Sequence, residues 1–281
     1  MNFSKVHAYG NDFLYVRASE AAGRAPDALA REMCDRHSGA GADGLILYDS
    51  SRASAPSMQL YNADGGRAEV SGNGLRGLAA LLLRDDRGEQ RSITIQTDAG
   101  PKPLTRLASS GTRHTFRAAM GKPRNLTTSQ AAVGGETVQV VVMDMGNPQC
   151  VVLGPLPGEE RFRALGPALE RHSMFAAGTN VEFACVGPAD VVAIRIWERG
   201  VGPTMSSGTG SCAALVAAAA YGGAARTATV VAPGGSQRVE WLDDAVYLTG
   251  WAEIVFDGDW LLSAGQNSPT RPQAPPATAS R

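Results

Sequence analysis

Lysine is almost missing from this chain: Lys5, Lys102 and Lys122 stand against 23 arginines in 281 residues. With abundant alanine and glycine, that imbalance reads as base-composition bias of the genome and carries no mechanism. An excess of either charge is also missing, since 26 basic residues face 27 acidic ones for a formal net charge of -1. This excludes a chain-wide electrostatic grip on nucleic acid or on an anionic membrane. Long apolar runs are absent too. LRGLAALLL and CAALVAAAAY are about half the roughly 18 to 20 residues that span a bilayer, so both read as buried core helices. The four cysteines, Cys34, Cys150, Cys185 and Cys212, form no C-x-x-C pair, which excludes the redox and zinc motifs built on that spacing. MNFSKVHAYGND at the start carries no apolar stretch of the secretion-signal kind, and a reducing cytoplasm is the expected home. What remains is 43% apolar and 19% charged, a globular composition with enough chain for two compact lobes.

Strand signals recur as alternating or β-branched runs: MQLYN (58–62), SITIQT (92–97), TVQVVVMDM (137–145), VVAIRIWE (191–198), TATVVA (227–232) and AVYLTGWAEIVF (245–256). Helical patterns are fewer: PDALAREMCDRH (26–37), RFRALGPALERH (161–172) and the two apolar helices. Strands in excess with helices distributed among them predict an α/β (α+β) protein rather than a regular doubly wound one. The segment 265–281 is rich in Pro, Ala, Ser and Thr and has no periodicity able to offset ordering entropy, so it is expected to be a disordered tail, with a docking peptide as the alternative.

One pattern occurs twice. Ser71-Gly72-Asn73-Gly74 opens the first apolar helix and Ser207-Gly208-Thr209-Gly210 opens the second, 136 residues later. A helix apolar on every side must be enclosed on every side. The repeat therefore predicts two lobes, each a sheet wrapped around a central helix. The lobes are expected at 1–117, completed by about 255–264, and at 118–254, with MGKP (120–123) near the boundary.

A Gly-rich turn at a helix N-terminus presents unpaired N–H groups and the positive end of the helix dipole, which favour an anion. Two of them facing each other form a carboxylate clamp, and the side chain before each glycine then lies on opposite sides of a substrate carbon. Read singly, S-G-x-G is only a helix cap. Asn11, Asn62, Asn147 and Asn180 stand beside turn residues at expected strand ends. Each is either a turn former or a ligand for ammonium and carboxylate groups, together with the Glu198-Arg199-Gly200 corner.

These residues carry a resemblance. K-x-H-A-Y-G-N-D-F (5–13), R-H-S-G-A-G-A-D-G (36–44), N-A-D-G (62–65), S-G-N-G (71–74), M-G-N-P (145–148), N-V-E-F (180–183) and E-R-G-x-G (198–202) follow in the order of the diaminopimelate epimerase family, which the chain resembles to about residue 262. The resemblance implies two pseudo-symmetric lobes, each a curled mixed sheet around a central helix, with the active site in the cleft between them. It also implies inversion at an amino-acid α-carbon without any cofactor or metal, by two cysteines at the mouths of the central helices. Here those positions are Ser71 and Ser207, the family's histidine after G-N-P is Gln149, and its glutamate after G-x-G is Pro203. Cys212 and Cys150 read as buried small hydrophobes, and His7 as a packed, hydrogen-bonded histidine.

A thiol near a helix N-terminus reaches its thiolate at neutral pH, whereas a serine hydroxyl needs a strong neighbouring base. Deliberate replacement of two cysteines accounts for the serines but not for Gln149 and Pro203, so natural divergence is expected. Ser71, Ser207 and Glu198 are the expected catalytic set, with Glu198 either a general base or simply the ion-pair partner of Arg199. Asn11, Asn62, Gly72, Asn73, Asn147, Gln149, Asn180, Arg199, Gly208 and Thr209 are expected to bind an amino-acid-like small molecule. The resemblance adds a homodimer and a place in the lysine-biosynthesis family. Expected is an isomerase with altered chemistry. A cyclase or isomerase of specialised metabolism, a non-catalytic amino-acid binder and an authentic epimerase in Cys-to-Ser form are the alternatives.

Overall fold

The structure is a computed structural model that describes residues 1–261 except 52–55, 87, 89–90, 189 and 244; the expected tail at 265–281 lies outside the described residues. The first half holds β1 (Asn2–Ala8), β2 (Asn11–Arg17), α1 (Pro26–Cys34), β3 (Gly44–Asp49), β4 (Ser57–Asn62), β5 (Arg67–Ala68), α2 (Gly72–Leu82), β6 (Ser92–Thr97), β7 (Gly100–Ser110) and β8 (Arg113–Gly121). The second holds β9 (Arg124–Val133), β10 (Glu136–Asp144), β11 (Pro148–Leu153), α3 (Glu159–Glu170), β12 (Asn180–Val186), β13 (Val191–Glu198), β14 (Gly202–Thr204), α4 (Gly208–Tyr221), β15 (Thr227–Ala232), β16 (Gly235–Trp241) and β17 (Val246–Asp259). No helix among the described residues is long and apolar enough to cross a membrane.

The two halves repeat one topology. β2 runs parallel to β3, β3 antiparallel to β4, and β4 parallel to β6. Likewise β11 runs parallel to β12, β12 antiparallel to β13, and β13 parallel to β15. Phe13 pairs with Gly44 and Gln149 with Asn180; Leu60 pairs with Ala68 and Ile196 with Thr204. In each case the second pair stands at the first pair's numbers plus 136, the spacing of the two Ser-Gly turns. The first sheet curls around α2 and the second around α4, and the long β17 joins them by pairing with β1, β8 and β16.

Residues Gly208 to Ala218 of α4 are all buried, as its uniformly apolar sequence requires. α2 buries Gly72 through Ala80 in the same core, and Arg76 is buried among them. α1 and α3 cover the outer faces, over Leu14 and Leu45 in one lobe and Phe183 in the other. The expected helix over 26–37 ends three residues early because Asp35 Oδ1 accepts from the N–H groups of His37 at 2.9 Å and Ser38 at 2.6 Å, a local turn that competes with the helix.

Candidate functional site

The N-termini of α2 and α4 meet backbone to backbone. A Cβ added to Gly72 would lie 3.1 Å from Gly208 Cα, and one added to Gly208 would lie 2.9 Å from Gly72 Cα. Only glycine permits that approach. Ser71 and Ser207 are the N-caps: each is extended, and each hydroxyl accepts from the N–H three residues on, Gly74 and Gly210, at 3.1 Å. The N–H groups of Gly72, Asn73, Gly208 and Thr209 lie ahead of the first intrahelical bonds, Leu75 N–H to Ser71 O and Ser211 N–H to Ser207 O. The two dipole ends therefore meet at one junction, where Gly72, Gly208 and Thr209 line the cleft, an arrangement suited to a carboxylate or to the enolate formed from one.

Glu198 ends β13 beside this point. Burial pushes its carboxyl up to about 7 and the Asp43 charge adds to the rise, while the nearby hydroxyls of Ser207 and Thr204 pull it back. The corner that follows is tightly held. Asn180 Oδ1 accepts from Arg199 N–H at 3.0 Å, while Glu170 accepts from Gly200 N–H at 2.9 Å and from Trp197 Nε1 at 2.8 Å. Pairing of Glu198 with Arg199 is not found. The fixed turn sends the guanidinium across the cleft to Glu69 of the first lobe, 3.0 Å away, and leaves the Glu198 carboxyl facing Ser207.

Behind Ser207 lies a second carboxyl. Glu182, fully buried in β12, is held well above the ordinary carboxylate range by desolvation and then by the charge of Glu198. With its nitrogen turned to Glu182, the Gln149 amide donates to both carboxyl oxygens at 3.1 Å, and its carbonyl accepts from Thr209 Oγ1 at 3.2 Å and Asn180 Nδ2 at 3.3 Å. Gly210 makes room for this group, since a Cβ there would lie 2.4 Å from Glu182 Oε1.

On the first lobe Asn11 Nδ2 donates to Asp43 Oδ2 at 2.7 Å, and Asn11 Oδ1 accepts from Asn73 Nδ2 at 3.0 Å. Asn73 Nδ2 also reaches Ser206 O at 3.2 Å, tying α2 to the turn before α4. The cleft above has a volume of about 400 Å³. Asn11, Asn62, Asn147, Asn180, Ser71, Ser207, Gly72, Gly208, Thr209, Glu198 and Arg199 all line it. Asn73 and Gln149 do not; both side chains are buried behind its wall. Sequence reasoning passed over Asp43, Asp64, Arg67 and Glu69, which line the cleft, and Glu170 and Glu182 behind it. Asp43 and Glu182 belong to the quoted motifs at 36–44 and 180–183; the signal was present and no role was attached. His7 is partly buried, packed edge-on against Trp251 with ring centroids 5.2 Å apart, and its Nδ1 accepts from Gly10 N–H at 3.4 Å. Cys150 and Cys212 are buried in the core, as expected.

A family model of diaminopimelate epimerases matches residues 3–126 and 141–255. The chain belongs to the diaminopimelate epimerase family. A diaminopimelate epimerase of Desulforudis audaxviator is 42% identical over 279 residues, covering 93% of this chain and 99% of that relative. One from Pelotomaculum thermopropionicum is 36% identical over 276 residues, covering 92% and 99%. Among solved structures, a probable proline racemase from Agrobacterium radiobacter K84 with bound carbonate superposes at a TM-score of 0.75 with 15% identity, covering 95% of this chain and 94% of its own. That likeness speaks for the fold: two pseudo-symmetric lobes of mixed α+β structure, each a sheet around a helix.

Proposed function

We propose that this chain is a cofactor-independent isomerase acting on an amino acid or amino-acid-derived substrate in the cleft between the lobes, with chemistry altered from two-thiol epimerisation. The observation that carries this reading is the pair of abutting helix N-termini with Ser71 and Ser207 as their caps, where the family resemblance places two cysteines. The N–H groups of Gly72, Gly208 and Thr209, with no partner among the described residues, would hold a carboxylate at the reacting carbon. Arg199, whose only ion-pair partner among the described residues is the half-exposed Glu69, would take a second, distal carboxylate. Diaminopimelate carries both. A volume of about 400 Å³ suits a ligand of that size.

The serines supply no thiolate. Each hydroxyl is already engaged in its cap. Glu198, at about 7, is the group placed to take a proton at neutral pH. Ser207 then orients that carboxylate rather than acting as the base. A second reading, authentic diaminopimelate epimerase, is favoured by identity of 42% along almost the whole chain.

Calorimetric titration with LL-, meso- and DD-diaminopimelate and with amino acids having one carboxylate tests the substrate class. Diaminopimelate is expected to bind, and Arg199→Met to weaken it at least tenfold. Equal affinity for amino acids with one carboxylate would remove diaminopimelate from the reading. Conversion of LL- to meso-diaminopimelate by the unaltered chain would establish the second reading. Conversion only by a Ser71→Cys/Ser207→Cys/Gln149→His variant would show that the recognition shell persists while the ancestral reaction has been given up.

A further inference from the structure

The spacing of 136 allows the two rims of the cleft to be compared residue by residue. Ser71 corresponds to Ser207 and Asn11 to Asn147, each pair alike in kind. Among the unlike correspondences, three bear on proton transfer. Asn62 stands where the second lobe has Glu198, Phe13 where it has Gln149, and Ile46 where it has Glu182. Strand register and packing support the equivalence. Tyr61 pairs with Arg67 as Trp197 pairs with Pro203, and a Cβ on Gly74 would strike Ile46 Cδ1 at 2.8 Å just as one on Gly210 would strike Glu182 Oε1 at 2.4 Å. Two carboxyl groups and a bridging amide thus back the Ser207 rim. An amide and two hydrocarbon side chains back the Ser71 rim.

The other carboxylates lining the cleft are committed elsewhere. Asp43 accepts from Asn11 Nδ2 at 2.7 Å, from Asp12 N–H at 3.1 Å and from Arg36 at 2.8 Å. Asp64 caps its own turn through Gly66 N–H at 2.7 Å, and Glu69 pairs with Arg199 at 3.0 Å.

We propose that the active site is one-faced: Glu198, held against Ser207, removes and returns a proton on the second-lobe face of the substrate carbon, and the Ser71 face carries no acid or base. This rests on the functional reading above and fixes its stereochemistry. The Glu198 carboxylate takes the Cα proton, the electron pair of the C–H bond moves into the adjacent carboxylate, and the added negative charge is met by the N–H groups of Gly72, Gly208 and Thr209. The proton, or one exchanged from solvent, returns to Cα on the same face, closing the cycle with no oxidant or co-reactant. Configuration is retained. On a substrate with a double bond between Cβ and Cγ the same base would deliver the proton to Cγ on that face as the double bond moves to Cα and Cβ, a suprafacial 1,3-shift.

The test is deuterium exchange with the full chain in heavy water. LL-, meso- and DD-diaminopimelate are incubated separately, the Cα–H signal is followed by proton NMR, and the stereoisomers are separated by chiral chromatography. Loss of the Cα–H signal without interconversion of isomers is expected. Glu198→Gln, which keeps size and hydrogen bonding, should slow it at least 100-fold while the circular dichroism spectrum is unchanged. Ser71→Cys, which gives the empty face a titratable group, should turn retained exchange into interconversion. Interconversion by the unaltered chain at the rate of exchange, exchange indifferent to Glu198→Gln, or retained configuration in the Ser71→Cys variant would each overturn the one-faced site. Calorimetric binding with no exchange would overturn it while leaving the amino-acid cleft standing. Absence of binding would overturn the functional reading itself.

Discussion

Glu198 has a carboxyl at about 7 against 4.5 for an ordinary glutamate, so its charge changes inside the range in which both rate and stability are measured. As a base it works deprotonated, and Cα–H exchange should fall as pH drops below about 7. Stability runs the other way. The folded state binds this proton more tightly than the unfolded chain, so the stabilising contribution is complete below about pH 4.5 and is lost as pH rises through about 7. Glu198→Gln carries no charge at any pH. Urea unfolding should therefore find it more stable than the parent at pH 8, with the difference shrinking toward pH 5; a difference that grew toward acid would contradict the assignment. The sequence pointed to this residue as a possible base but misread its partner. Arg199 is its chain neighbour, and only the three-dimensional turn, held by Asn180 and Glu170, shows the two side chains diverging. Glu182 was harder to see, because an inward-facing glutamate in an apolar strand gives no outward signal beyond its place in N-V-E-F.

At the scale of elements, the two central helices and six strands were legible because their patterns match their surroundings: alternation in β4, β13 and β15, and the largely apolar character of α2 and α4 beyond their polar first turns, broken in α2 by Arg76. β9 was not read. Its first seven residues, Arg124–Gln130, are polar apart from Leu126, and only Ala131 and Val133 are buried. β14 is three residues long with proline at its centre, too short for any periodicity. The helix junction gives two predictions. Ser71→Ala and Ser207→Ala each remove one cap bond of 3.1 Å, so each should cost about 1 kcal/mol in urea unfolding. Gly208→Ala must push backbone from backbone at the Gly72 contact, where no flexible side chain can yield. It should cost about 1–3 kcal/mol and weaken binding of diaminopimelate, because the converging N–H groups separate. A Gly208→Ala protein with parental affinity would show that the junction tolerates widening.

The two lobes of the whole molecule are held in register by a buried polar chain as well as by the core. Arg76 Nη2 donates to Asn73 Oδ1, and Asn73 Nδ2 donates to Asn11 Oδ1 at 3.0 Å and to Ser206 O at 3.2 Å. Arg76 is fully buried, its Nε and Nη1 have no hydrogen-bond partner among the described residues, and desolvation lowers its pKa. The face of Tyr9, 5.9 Å from the guanidinium carbon, offers partial compensation. The repeat of 136 residues announced two lobes from sequence alone, but this link was hidden, since position 212, the equivalent of Arg76, is a cysteine. A buried charge with so few partners makes the sign of a double substitution informative. Asn73→Ala strips Arg76 of its hydrogen bond and should cost about 3–5 kcal/mol, the usual penalty for leaving a buried charge unpaired. Arg76→Met removes that charge at similar volume, so the double variant Arg76→Met/Asn73→Ala should be more stable than Asn73→Ala alone. Urea midpoints of the four proteins complete the cycle. A double variant less stable than either single one would mean that Arg76 stabilises the lobe junction through its packing, and that Asn73 orients Ser206 and the turn before α4 independently of the charge beside it.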